Sequence, residues 1–244
     1  MSENTFYSQK FTIRANEVDT SGNLTLSAIC NFFQEVAGNN AKELNFDITD
    51  MNDQNMTWVL QRMDINLNKS LNWREIVTVE TWPAEGDSLR AYRNYRLLDD
   101  AGQEFGNCLS YWMVLNIETR RPMRIPKAVL DTRLANRPHV TEVKKHRIKP
   151  FTEKGFEKNI IVRRSDLDMN NHVNNVRYIE WMLETISLKS AQKIRNFDIL
   201  FMRETFVDDN LVASSYKADD EHLIFKITNM KKQVIALAEA LLKA

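Results

Sequence analysis

The sequence predicts an α+β protein made of two similar units in tandem, each a long helix wrapped by a curved antiparallel sheet. Three observations predict it. A polar segment near residue 168 has a weaker copy near residue 19, at an offset of 149. Each copy leads into an apolar pattern of helical spacing. Each helix is then followed by short alternating runs that read as strands and hairpins.

The repeat orders the elements. With Asp19 set against Asp168, Glu17 meets Asp166, Asn23 meets His172, Leu24 meets Val173, Phe32 meets Trp181 and Glu35 meets Glu184. An extended basic segment precedes each copy, Phe11-Thr12-Ile13-Arg14 in one and Ile160 to Arg164 in the other. The first helix places Leu26, Ile29, Phe33 and Val36 on one face, and the second, read over 176–186, does the same with Val176, Ile179, Met182, Leu183 and Ile186. Ile76 to Glu80 and Leu211 to Ser215 read as equivalent strands. Tyr92 to Leu97 turns at Asp99-Asp100-Ala101-Gly102 and returns from Phe105 to Ile117. Its counterpart runs from Leu223 to Thr228, turns at 229–232, and returns from Val234 to Leu242. By propensity alone, Ala236 to Leu242 favours helix; the repeat makes it a strand, because tertiary context overrides propensity. A long helix needs an apolar surface to cover, and a curved sheet supplies one.

About thirty residues, near 119–154, join the halves and hold Pro122, Pro126, Pro138 and Pro150, four of the five prolines. This span is expected to cross the surface as a linker. The organisation expected is therefore an N-terminal unit over 1–131, a linker over 132–155 and a C-terminal unit over 156–244.

Composition narrows the class. In 244 residues, 33 basic and 33 acidic side chains balance, which gives no support for nucleic acid as a partner. The apolar fraction of 43% suits a globular chain. No apolar run approaches the ~18 residues of a membrane span, and Met1 to Thr5 shows no basic-then-apolar leader. Cys30 and Cys108 form no C-x-x-C pair, so neither a disulfide framework nor a zinc knuckle is expected, and a reducing cytoplasmic setting is. From Arg120 to Lys154 the chain carries eleven Lys or Arg against three Asp or Glu, a local excess of +8.

The segment from Ser165 to Tyr178 holds two carboxylates, four carboxamides and one imidazole in fourteen residues. Such density is costly to bury without a purpose. It lies at a helix entrance, where free backbone N–H groups and the positive dipole end favour a carboxylate or an oxyanion. An imidazole there can titrate near neutral pH. In the first copy Asn23 stands where His172 does, so Asp19 reads as a cap and that copy as catalytically silent. His139, His146 and His222 have no such surroundings and read as surface or linker residues.

The run Arg164-Ser165-Asp166-Leu167-Asp168-Met169-Asn170-Asn171-His172-Val173-Asn174-Asn175-Val176-Arg177-Tyr178-Ile179-Glu180-Trp181 closely resembles the signature of the acyl-acyl-carrier-protein thioesterases. The resemblance covers nearly the whole chain. It implies two tandem hotdog domains, no metal or organic cofactor, and hydrolysis of the thioester joining a fatty acyl chain to acyl carrier protein. It assigns catalytic roles to Asp168, Asn170 and His172. The family's further carboxylate, in an Arg-Glu-Cys sequence, falls on Glu204 of Arg203-Glu204-Thr205. Thr205 replaces the cysteine, which weakens any scheme with a thiol nucleophile, and Thr205→Ala is expected to keep most activity. The organelle-targeting extension of the plant members is absent here, which favours a bacterial type.

Hydrolysis needs a nucleophile, oxyanion donors and a proton for the leaving thiol. His172 can act as base or hold substrate, Asn170 can hold water or polarise the carbonyl, and Asp168 can orient His172, activate water or attack directly. Backbone N–H groups at the helix start are candidate oxyanion donors, worth roughly 3–4 kcal/mol when well placed. Glu204 is read on a strand from Phe197 to Phe206, sharing a face with Leu200, Met202 and Phe206. Direct attack by Asp168 and attack by activated water both stay open. Acyl-chain selection is expected in the first unit, around Phe32, Phe33 and Trp58. The basic belt is expected to steer an acidic carrier protein. An acyl-CoA thioesterase of the same fold and a hotdog hydratase or dehydratase are the alternatives. Paired units in one chain suit a monomer, and a homodimer is equally allowed.

Overall fold

The structure is a computed structural model and describes residues 5–134 and 137–243. Residues 1–4 of the N-terminal segment read above at Met1 to Thr5, residues 135 and 136 of the linker, and residue 244 lie outside the described residues. The chain divides into two compact units, Met1–Lys144 and Lys145–Ala244. Both are α+β, with antiparallel sheet and few helices. Among the described residues no helix is long and apolar enough to cross a membrane.

The first unit holds β1 (Tyr7–Thr12), α1 (Leu26–Glu43), α2 (Ile48–Asn52), β2 (Met56–Leu67), β3 (Ile76–Ala84), β4 (Ala91–Leu98), β5 (Glu104–Asn116), β6 (Pro122–Met123) and α3 (Lys127–Leu130). Its strands pair in the order β1-β3-β4-β5-β2, and β6 adds to one end of β5. The second unit holds β7 (Phe156–Ile161), α4 (Asn175–Leu183), α5 (Leu188–Ala191), β8 (Ile194–Phe201), β9 (Asn210–Lys217), β10 (His222–Asn229) and β11 (Val234–Leu242). Its order is β7-β9-β10-β11-β8, the same arrangement again.

Helix α1 begins at Thr25, whose hydroxyl accepts from the Ala28 N–H at 3.2 Å. Leu26, Ile29, Phe33 and Val36 are all buried, as their spacing requires. Helix α4 is half the length of α1, shorter than the reading over 176–186. Its end is polar and local: Thr185 donates its hydroxyl to the Met182 carbonyl at 2.6 Å, and its own carbonyl accepts from Ser215 Oγ at 3.0 Å. Ser187 then caps α5.

Strand β11 shows why Ala236 to Leu242 does not become helix. It is paired on both sides, with Ala238 opposite Phe225 of β10 and Ala240 opposite Phe197 of β8. Ala236, Ala238 and Ala240 are fully buried. Their small side chains let the Phe197 and Phe225 rings approach to 5.7 Å. Alternation puts these three alanines on one face, where a helix would turn Ala238 away from Ala236 and Ala240.

The proline-rich span is held at both ends rather than running free. Val140 and Val143 pack against the first unit at Ala84, Tyr92, Leu109 and Tyr111. The Val140 N–H donates to Asn94 Oδ1 at 3.0 Å, and the Lys144 N–H to the Tyr111 hydroxyl at 2.7 Å. Phe151 is buried in the second unit, stacked on Tyr216. Val140, Val143 and Phe151, with these hydrogen bonds, tie down the segment that its prolines read as a surface linker.

Candidate active site

The polar segment folds by the same local chemistry in both units. In the second, a single 3-10 turn at Arg164–Asp166 is closed by the Arg163 N–H donating to Asp166 Oδ2 at 2.8 Å. Leu167 then bridges to Val173, and between them the chain reverses over Asp168 to His172. Asp168 builds that reversal. Its N–H donates to the His172 carbonyl at 2.8 Å, and its Oδ1 accepts from the N–H groups of Asn170 at 2.8 Å and His172 at 3.4 Å. Asn171 takes a positive φ of 59°, a conformation asparagine tolerates. Asn174 caps α4 by accepting from the Val176 N–H at 2.9 Å.

The first unit repeats this almost atom for atom. The Asp19 N–H donates to the Asn23 carbonyl at 2.8 Å, and Asp19 Oδ1 accepts from Ser21 and Asn23 at 2.8 and 3.0 Å. Gly22 has the positive φ, 83°. Val18 bridges to Leu24, and Thr25 caps the helix. The turn is thus a folding device common to both units. What distinguishes the second is its side chains: Asn170 where Ser21 stands, and His172 where Asn23 stands.

Glu204 is not on a strand. Strand β8 ends at Phe201, because the N–H groups of Met202 and Arg203 both converge on the Ile235 carbonyl, at 2.9 and 3.2 Å, and the ladder stops there. The expected face of Leu200, Met202, Glu204 and Phe206 does not form; Met202 and Phe206 are 56% and 49% exposed. The irregular segment instead turns Glu204 towards the helix mouth. His172 Nδ1 lies 3.8 Å from Glu204 Oε1, and the imidazole edge meets the Phe206 ring at 5.4 Å. Both side chains are about one-third exposed, so water reaches them while a neighbouring ring shields one side. The Val173 N–H donates to the Thr205 carbonyl at 3.2 Å and ties the two segments together.

The N–H groups of Val176 and Arg177 bond to Asn174, which removes them from the oxyanion donors expected at the helix start. Among the described residues the Asn170 carboxamide makes no hydrogen bond, so its N–H₂ is available to a substrate oxygen. Asp168, Asn170, His172 and Glu204 therefore come from one helix mouth and the segment bonded to it. Phe32, Phe33 and Trp58 sit in the first unit. Phe32 stacks on Phe11 and Phe33 packs against Tyr95, each at 4.5 Å between ring centres, and both are buried. Trp58 donates its indole N–H to the Phe46 carbonyl at 2.9 Å and keeps a partly exposed face.

Two histidines read as unremarkable surface residues have partners. His146 Nε2 lies 3.0 Å from Glu239 and 4.0 Å from Asp198, and His222 Nε2 lies 3.6 Å from Glu239. Asp198 and Glu239 are directly opposed on β8 and β11. Both imidazoles thus lie beside a cross-strand pair of carboxylates. His146, Asp198 and Glu239 have ligand atoms within 4.8 Å of one another, close enough to share a metal ion. The signal for this group was the alternation that turns Glu239 to the face opposite the alanines of β11.

An imidazole, two carboxylates and a free carboxamide at a helix mouth define a class of site: equipment for acid–base attack on a carbonyl, with no thiol among them. Cys30 and Cys108 are buried in the first unit and form no disulfide. The comparisons with known proteins narrow the class. Residues 4–132 match the profile of the acyl-ACP thioesterase N-terminal domain, and residues 149–242 that of the acyl-ACP thioesterase C-terminal domain. The chain belongs to the acyl-ACP thioesterase family. It is 29% identical to the chloroplastic oleoyl-acyl carrier protein thioesterase of Coriandrum sativum over 96% of its own length and 69% of that protein's. It is 31% identical to oleoyl-acyl carrier protein thioesterase 2 of Arabidopsis thaliana over 91% and 66%. The chain thus spans about two thirds of the length of these curated relatives. A crystal structure of an acyl-ACP thioesterase from Bacteroides thetaiotaomicron superposes with a TM-score of 0.91 at 27% identity, covering 100% of both chains. The 12:0-ACP thioesterase of Umbellularia californica shares the fold, with a TM-score of 0.88 at 23% identity over 98% of this chain and 97% of that one.

Proposed function

We propose that this family member hydrolyses the thioester between a fatty acyl chain and acyl carrier protein, releasing free fatty acid and ending chain elongation, at the cluster of Asp168, Asn170, His172 and Glu204. The observation that carries the reading is the approach of His172 to Glu204, 3.8 Å apart and open to water at the mouth of α4. A water between them gives its proton to one of the pair as its oxygen attacks the acyl carbon. The Asn170 amide donates to the oxygen that becomes negative. The C–S bond breaks, and the member of the pair that took the proton returns it to the departing thiolate. Asp168 Oδ1 is engaged by two backbone N–H groups, which favours activated water over direct attack by that carboxylate.

Each unit is read as a hotdog, supported by one helix packed on an antiparallel sheet of the same strand order in both. The domain division proposed is 1–131 and 156–244 with 132–155 between. A cytoplasmic compartment is the reading that cell fractionation checks, and sedimentation decides between monomer and homodimer.

Carrier protein is the proposed partner. Of the basic belt, Arg133 pairs with Glu85, Lys144 with Asp64, and Arg137 lies over Trp82, so these serve the first unit itself. Arg121, Arg124, Lys127, Lys145, Arg147 and Lys149 are exposed and can steer an acidic surface. Thiol release from one acyl chain on carrier protein and on CoA tests both claims. kcat/KM is expected to favour the carrier by at least about tenfold at low salt, with KM for the carrier substrate rising with ionic strength. A KM flat in salt removes the docking role, preference for CoA overturns the substrate, and no thiol release from any chain overturns hydrolysis.

Acyl-chain selection is assigned to Phe32, Phe33 and Trp58 in the first unit. Trp58, with its exposed face, is the side chain whose removal lengthens the space. Trp58→Ala is expected to shift the preferred chain longer by about two carbons, each CH₂ contributing about 0.8 kcal/mol of burial. An unchanged chain-length profile takes Trp58 out of the pocket.

A further inference from the structure

Thr205 occupies the place where the resemblance would put a cysteine, and the expectation from sequence is that its loss matters little. Its surroundings argue otherwise. Thr205 is 1% exposed and Tyr178 3%, and their hydroxyl oxygens lie 2.7 Å apart. Tyr178 stands on α4, one turn beyond the cap, while Thr205 follows Glu204 directly. The Thr205 carbonyl accepts from the N–H of Val173, the residue after His172. Side chain and main chain of Thr205 therefore hold the two segments that bear His172 and Glu204. Burial, with the Glu204 charge adding to it, pushes the Tyr178 phenol up to about 12, so this hydroxyl keeps its proton throughout the working pH range. Around Tyr178, Trp181 and Phe201 pack edge-on at 5.4 and 5.8 Å and fix the ring.

We propose that Tyr178 and Thr205 are paired positioning residues, whose hydroxyl–hydroxyl bond sets the His172–Glu204 separation, and that Thr205 is not a nucleophile. The inference rests on the thioesterase reading above. The geometry is the reason. A hydroxyl sealed among aromatic rings and bonded to a neighbour cannot reach an acyl carbon, yet moving it by one ångström moves Glu204 with it. Misplacement on that scale is sufficient to cost about a hundredfold in rate.

The test uses the full chain and acyl-carrier substrate with Tyr178→Phe, Thr205→Val, Thr205→Ser and the Phe/Val double variant. Tyr178→Phe and Thr205→Val are expected to lower kcat by about ten- to a hundredfold with KM nearly constant, and to displace a limb of the kcat–pH profile, because the spacing of the His172–Glu204 pair changes. Thr205→Ser is expected to recover activity to within about threefold, and the double variant to be no worse than the weaker single, as for two groups in one interaction. Thermal melts show whether each variant folds; Tyr178→Phe, which removes one oxygen from an intact ring, carries the test if Thr205→Val does not fold. Wild-type kcat and pH profile in both single variants overturn the proposal. So does abolition of turnover in Thr205→Val beside normal turnover in Tyr178→Phe, which would make the Thr205 hydroxyl the attacking group. Normal turnover in His172→Ala would instead sink the site assignment itself, a distinct outcome.

Discussion

Replacing His172 by alanine is expected to lower kcat by at least about a hundredfold, the usual contribution of an acid–base group, with the fold intact. The separation of effects follows from how the residue is built in. Its backbone holds the turn, through the carbonyl that accepts from Asp168 and the N–H that donates to Asp168 Oδ1, and alanine keeps both. Only the imidazole is lost, with its approach to Glu204 and its contact with Phe206. His172→Asn is the sharper variant, since it installs the residue found at Asn23 in the silent copy. Steady-state thiol release with a thermal melt for each variant gives the answer. Turnover near normal would remove His172 from the chemistry.

Asp168→Ala is expected to be as damaging, at least about a hundredfold in kcat, for a different reason. Alanine strands the N–H groups of Asn170 and His172 that Oδ1 now accepts, and the turn loses what closes it. Asp168→Asn keeps an oxygen in that place, and asparagine closes such turns as well as aspartate. It is therefore expected to recover kcat to within about tenfold of the parent. If the asparagine variant is as poor as alanine, the negative charge itself acts on the reaction; if alanine is harmless, Asp168 has no part in the site.

Much of this was legible in the chain because the repeat carries information that no single window does. Ala236 to Leu242 has helical propensity, and only its match to the hairpin return of the first half identifies it as β11. The candidate segment was legible for the same reason: Asp19 and Asp168 build one turn, so the differences at 21 and 23 stand out against it. Three features were not. The end of β8 depends on the Ile235 carbonyl collecting two N–H groups, a long-range event without a local signature, and so Glu204, three residues past the last strand residue, was read as part of the strand. The early stop of α4 depends on Ser215 of β9 donating its hydroxyl to the Thr185 carbonyl, a partner far along the chain. The anchoring of the proline-rich span depends on a few valines and a phenylalanine finding room on sheets that sequence alone does not shape.

Because the Asp19 turn matches the Asp168 turn bond for bond yet has no imidazole beside it, the molecule contains its own blank. The unfolding free energy lost on Asp19→Asn or Asp19→Ala reports what such a reversal contributes to holding a unit together. Set against the same substitutions at 168, it leaves a remainder that belongs to turnover alone, measured in one polypeptide under one set of conditions.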